Sequence, residues 1–200
     1  MTQVITLKIT YAGCENRIWR EAQISENSYL SKLGCMVLAT FETRAYHLFN
    51  IEYNGALFNL PSDDTRIKPE ECLFCVKLKD LNLSVGDKLK MIYDFGYEQT
   101  FDIEVTDISP MSRGTGRAYP KILHGEGRGI LDDVPVEDLL ELIRKTDEYG
   151  KSDFIIESRF GHEYAWDYRN YSLDTDNCLL KGETERIEYA YSYFEQFLEV

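Results

Sequence analysis

Five basic side chains, Arg113, Arg117, Lys121, His124 and Arg128, face a single acid, Glu126, between positions 112 and 129 of an otherwise acidic chain. Gly114, Gly116, Gly125, Gly127 and Gly129 punctuate the same stretch. Glycines let backbone N–H groups approach an anion, and arginine forks hold phosphate or carboxylate through paired hydrogen bonds. The pattern predicts a long loop that binds a small anion, and long loops in compact domains tend to carry function. The bland alternative is a loop that pairs with acidic surface elsewhere.

A second group gathers around the segment 87–107. Asp94, Asp102 and Glu104 fall at polar positions of a predicted hairpin. Carboxylates on one sheet face could hold a divalent cation or share a proton. A solvated face with Lys88 and Lys90 as partners is the ordinary outcome for a one-sided antiparallel sheet. Asp94 stands apart because it abuts the turn, and with Tyr93 and His47 it makes a candidate pocket. His47 has no second histidine near it in sequence and reads as a hydrogen-bonded structural residue. Asp94-Phe95-Gly96 spells a kinase magnesium motif, but no Gly-rich loop, strand lysine or catalytic loop accompanies it. Cys72 and Cys75 form a CxxC without a second ligand pair; a strand over 72–78 would put them on opposite faces, which predicts structural thiols. No catalytic residue, resident metal or cofactor is expected.

These side chains need a scaffold, and the clearest part of it is the hairpin. Leu89, Met91, Tyr93 and Phe95 alternate along one arm, and Phe101, Ile103 and Val105 along the other. Period two marks half-buried strands, joined here through Gly96. Residues 4–11 alternate in the same way, and 17–24 read as their partner. Ser25 to Ser28 supply helix N-cap types, and Leu30, Leu33, Val37, Leu38 and Phe41 recur at helical spacing, which predicts an amphipathic helix over 28–42 lying on the sheet. A strand over 47–53 ends at Asn54-Gly55, a turn dipeptide. Residues 60–71 read as a loop, 133–149 as a helix, 150–182 as unassigned, and 183–199 as a last acidic helix with an aromatic stripe. The expected fold class is α+β: a roll-like mixed or antiparallel sheet, one early helix packed on it and two C-terminal helices. The expected organisation is a domain over 1–150 and an extension over 151–200 packed on the same core.

The net charge of -13 repels a phosphate backbone, so nucleic acid is disfavoured as a partner. An unknown protein partner or a small anionic ligand remains. Five irregularly spaced cysteines with no preceding secretory segment predict reduced thiols and a cytoplasmic setting. No apolar run approaches the roughly 18–20 residues that span a bilayer, so no membrane partner is expected.

The landmarks fall in a familiar order: Ile18-Trp19-Arg20, the helix spacing Leu30, Leu33, Val37 and Phe41, His47-Leu48, Gly86-Asp87-Lys88, Tyr93-Asp94-Phe95-Gly96, Tyr119-Pro120 and Gly125-Glu126-Gly127. Across residues 4–145 the chain resembles the plasmid pRiA ORF-three-like family, also described as insertion-element passenger or TnpR-like proteins. The resemblance implies an α+β roll and an association with mobile elements, and no established activity. In that family an acidic pair, a tryptophan and a histidine follow the YDFG segment, where this chain has Tyr97-Glu98-Gln99-Thr100-Phe101. Family histidines also stand where this chain has Gly34 and Phe49. The expected function is therefore a binding or interaction protein of that family, with a hydrolase or nucleotide-processing enzyme built on the basic loop as the alternative.

Overall fold

A computed structural model describes residues 1–61, 67–112, 114–157 and 162–193. Among them, seven strands form one antiparallel sheet: β1 (Gln3–Tyr11), β2 (Trp19–Ser25), β3 (Phe49–Tyr53), β4 (Ala56–Asn59), β5 (Lys88–Tyr93), β6 (Gln99–Pro110) and β7 (Lys121–Glu126). Their order across the sheet is β4-β3-β5-β6-β1-β2-β7. Three helices accompany it, α1 (Leu30–Thr40), α2 (Val136–Tyr149) and α3 (Leu173–Ser192), with a small hairpin of β8 (Ile155–Glu157) and β9 (Glu163–Ala165). The fold class is α+β, as the patterning predicts.

The central hairpin pairs β5 with β6 from Lys88↔Glu104 to Tyr93↔Gln99. Its inward residues Leu89, Met91, Tyr93, Phe101, Ile103 and Val105 are buried. Outward, Lys88 stands opposite Glu104 and Lys90 opposite Asp102. Opposite charges at facing positions stabilise a solvated face, so the ordinary reading holds for Asp102 and Glu104. It does not hold for Asp94. Strand alternation stops there: Asp94 takes a φ of 58° and is buried, while Phe95 is exposed. The link reaches positive φ at Asp94 and Glu98 rather than at Gly96.

The helix α1 is enclosed on nearly every side, not along one stripe. Polar Ser31 and Thr40 are buried with Leu33, Cys35, Met36, Val37 and Leu38, because α3 packs over the side that the sheet leaves open. At Gly34 a Cβ would come within 2.1 Å of the Phe49 ring. Glycine is what lets α1 approach β3 this closely. The expected Ser25–Ser28 cap is absent; Tyr29 occupies the N-cap without a side-chain bond. The free N–H groups of Leu30 and Ser31 donate to the carbonyls of Val76 and Leu73, at 2.9 and 2.8 Å, satisfying donors that a helix start leaves over.

That arrangement corrects the strand expected over 72–78. Its backbone caps α1 and turns at Cys72, where Cys75 N–H donates to Cys72 C=O at 3.0 Å. The opposite-face argument for the two thiols therefore falls. Burial raises the Cys72 thiol to about 12, which keeps it protonated. The long loop expected over 112–129 is corrected as well, since residues 121–126 form β7 and pair with β2. Asn177 of α3 closes this edge strand: its Oδ1 accepts from Ile122 N–H at 2.9 Å and its Nδ2 donates to Ile122 C=O at 2.8 Å. The last helix starts ten residues earlier than the periodicity suggests, with Ser172 accepting from Thr175 N–H as its cap.

Candidate functional site

Three chain segments meet where β5 ends and β3 begins. The register Phe49↔Tyr93 sets the residue after β5 beside those before β3, and Asp94 N–H donates to Leu48 C=O at 3.1 Å. Asp94 and His47 are thereby brought together. The third segment, 130–134, is anchored from several sides. Ile130 N–H donates to Phe41 C=O at 3.0 Å, and the Gln99 amide donates to the carbonyls of Leu131 and Val134 at 3.0 and 3.2 Å. Arg44 N–H donates to Asp132 Oδ2 at 2.9 Å. This presents Asp133 to His47, with His47 Nε2 2.8 Å from Asp133 Oδ1 and 3.5 Å from Asp94 Oδ2.

The donors around these groups are arranged in a consistent way. Asp94 Oδ1 accepts from Gly96 N–H at 3.1 Å, while its Oδ2 is buried without a hydrogen bond. Asp133 Oδ2 accepts from the Tyr46 hydroxyl. Tyr93 donates to Asp132 Oδ1 at 2.7 Å, and the Tyr191 hydroxyl of α3 donates to His47 C=O. The Tyr46 bond, then the His47 contact, hold the Asp133 carboxyl below the ordinary range. Burial first, then the Asp133 bond, pushes the Tyr46 hydroxyl up to about 12. Burial raises Asp132 and, with Asp132 beside it, raises Tyr93 further still. Ala45, Asp94 and Asp133, one in each converging segment, have φ of 56°, 58° and 59°. Left-handed non-glycine residues cost free energy and cluster where function demands a fixed geometry.

Next to this cluster lies a groove of about 1170 Å³, bordered by the end of α1, residues 128–134, the β8–β9 hairpin and the first half of α3. Tyr46, Asp132 and Asp133 line it at the cluster's end. Phe154, Ile155 and Leu179 line it too and are 36%, 55% and 48% exposed.

The candidate pocket of Tyr93, Asp94 and His47 is thus assembled, with Asp132, Asp133 and Tyr46 as members the sequence reading missed. In the sequence Asp133 marks only a helix start, and 86 positions separate it from His47; no local spacing joins them. The basic group fares differently. Lys121 and His124 lie exposed along β7, and His124 Nε2 is 3.9 Å from Glu21. Arg128 turns into the groove, donating to Glu42 and to the Tyr164 hydroxyl, both at 2.9 Å. Arg113 and the side chain of Arg117 lie outside the described residues. The described members do not gather into an anion site.

A second charged group is deeply enclosed. Arg20, fully buried, donates to Thr40 Oγ1, Asp176 Oδ2 and the carbonyls of Trp19, Thr40, Glu126 and Gly127 at 2.8–3.1 Å. Its guanidinium lies between the rings of Tyr171 and Phe41, 3.9 and 5.0 Å from their centres. It joins β2, β7, α1 and α3.

An antiparallel sheet around an enclosed helix, with an imidazole–carboxylate cluster at the sheet's end, defines an α+β fold. The chain belongs to the plasmid pRiA4b ORF-3-like protein family, whose sequence model matches residues 3–175. Among solved structures it is similar to a protein of unknown function, MM3350 from Methanosarcina mazei Go1, with a TM-score of 0.60 and 22% identity over 86% of this chain and 98% of that one. At that identity the likeness shows the fold alone. No curated protein matches the chain.

Proposed function

We propose that the protein binds a small amphiphilic molecule in the groove, with the apolar body of the ligand against Phe154, Ile155 and Leu179 and its polar end at Asp132, Asp133 and Arg44. The carrying observation is that exposed apolar side chains from the β8 side and from α3 line one groove. Ligand sites are concave, largely apolar and marked by a few convergent polar groups, at volumes of about 300–1000 Å³. The volume here, about 1170 Å³, lies just above that range. A cytoplasmic setting belongs to the same reading and is supported by free cysteines at 14, 35, 72, 75 and 178. No described helix is long and apolar enough to cross a membrane. A mobile-element association rests on the family resemblance. The hydrolase or nucleotide-processing alternative has less support, because β7 occupies residues 121–126 and the described basic side chains there do not converge.

Titration with a polarity-sensitive naphthalene sulfonate dye tests this reading. Saturable binding with one dye per chain, abolished by Leu179→Glu or Ile155→Glu in folded protein, is expected. Dye uptake that is non-saturable, or unchanged in both variants, overturns it.

A further inference from the structure

We propose that His47, Asp94 and Asp133 hold a borderline divalent transition ion of the Zn²⁺ or Co²⁺ type. Their ligand atoms, one imidazole nitrogen and two carboxylate oxygens, lie within 4.8 Å of one another. A cluster of this kind is common on protein surfaces and would mean little alone. What distinguishes it is Asp94. This side chain is 6% exposed, and its Oδ2, aimed at His47, has no hydrogen bond. The large majority of buried polar atoms are hydrogen-bonded, and of the three described side-chain atoms that are not, at Asn50, Gln99 and Asp94, only the last is a carboxylate oxygen. A buried carboxylate oxygen is among the most costly to leave without a partner. A cation between Oδ2 and the imidazole supplies that partner.

Two of the three donor separations are close to what such an ion needs, and the third lies within 4.8 Å. Bonds of 2.0–2.2 Å at tetrahedral angles set neighbouring donors roughly 3.3–3.6 Å apart. His47 Nε2 to Asp94 Oδ2 is 3.5 Å, and His47 Nε2 to Asp133 Oδ1 is 2.8 Å. The second pair must open by about half an ångström. Asp133 is half exposed and sits on a loop, so the movement is local. In each carboxylate the other oxygen is already held, Asp94 Oδ1 by Gly96 N–H and Asp133 Oδ2 by the Tyr46 hydroxyl. Outer bonds of this kind orient metal ligands and tune them. The two carboxylates and a neutral imidazole together balance a divalent charge.

The donor set selects the ion. Mg²⁺ and Ca²⁺ prefer all-oxygen shells, whereas imidazole suits the later transition ions. Three protein ligands leave a coordination position open, and one of them, Asp133, borders the groove with its hydrogen-bond partner Tyr46. Metal binding here does not depend on the groove having an occupant.

The test uses the full chain after removal of metals by a chelator, titrated with Zn²⁺ and with Co²⁺ alone. One saturable ion per chain is expected, undisturbed by excess Ca²⁺. Affinity should fall at least ten-fold in Asp94→Asn, His47→Gln and Asp133→Asn. Asp133 is exposed enough that its variant folds, so the test survives if another variant does not. A Cys72→Ser, Cys75→Ser protein should bind as the parent does, which separates this site from the CxxC turn. Absence of saturable uptake of either ion overturns the assignment. So does uptake that the three site variants leave intact, or that the cysteine variant abolishes.

Discussion

Arg20 and Asp94 are both enclosed by the fold, at 0% and 5% exposure, yet their surroundings differ in kind. Every face of the Arg20 guanidinium is used: carbonyls and Asp176 around its rim, aromatic rings above and below. Asp94 has one oxygen in a turn and the other directed at His47 without a hydrogen bond. A buried charge with complete partners fixes one arrangement of the elements around it. A buried charge with an open acceptor leaves room for something the chain itself does not provide. The contrast separates a structural clamp from the proposed metal site by local chemistry alone. It can be broken by showing that the two side chains respond alike when neutralised.

The largest effect is expected at Arg20. Arg20→Met leaves Asp176 buried without its cation and strips donors from four carbonyls. Removing one partner of a buried pair costs about 3–5 kcal/mol. Urea unfolding of Arg20→Met should show a loss of that order, and adding Asp176→Leu should recover much of it, since the orphaned carboxylate goes too. A loss under about 1 kcal/mol would place Arg20 beside Asp94 and remove the distinction.

Legibility in the sequence follows the same divide between local and distant causes. The β5–β6 hairpin was readable because alternation over Leu89, Met91 and Tyr93 is a property of neighbouring residues. The segment 72–78 was not, because its backbone is committed to the N-terminus of α1, more than forty positions away. In 121–126, glycines and charges hid a strand whose pairing with β2 is set by tertiary packing. At the site, Tyr93, Asp94 and His47 were picked out from their own types and positions. Asp132 and Asp133 were not, since what makes them partners is the anchoring of their loop by Gln99 and Phe41. No local signal marked the break, because Phe95 continues the alternation in the sequence and only the fold turns Asp94 inward and Phe95 outward.

An exposed ion pair calibrates the comparison from the other side. Arg17 and Asp147 join the β1–β2 turn to α2, with side chains 45% and 37% exposed. Hydrogen bonds from Tyr168, then Arg17, hold the Asp147 carboxyl below its ordinary value. A lowered carboxyl contributes stability that is present above the unfolded value, near 3.9, and is lost as pH falls through the folded one. Solvent-screened pairs contribute about 0–1 kcal/mol. Asp147→Asn should therefore lower Tm slightly at pH 7, with the gap from wild type narrowing below about pH 4. A gap equal at both pH values would show that shape, not charge, matters at this position.

The smallest effect on stability is expected at Asp94, and it sharpens the comparison most. Asparagine accepts the left-handed φ of 58° almost as readily as aspartate. Its amide oxygen can still accept from Gly96 N–H. What disappears is a desolvated negative charge with an oxygen that lacks a hydrogen bond, offset by the loss of its attraction to His47, 3.5 Å away. In chelator-treated protein, Asp94→Asn should unfold within about 0.5 kcal/mol of wild type, or at slightly higher urea. Residues held for binding rather than for the fold commonly show this trade. A loss above about 2 kcal/mol would mean that the carboxylate holds the three converging segments together by itself. Asp94 would then be a clamp like Arg20, and its open oxygen would have a structural cause.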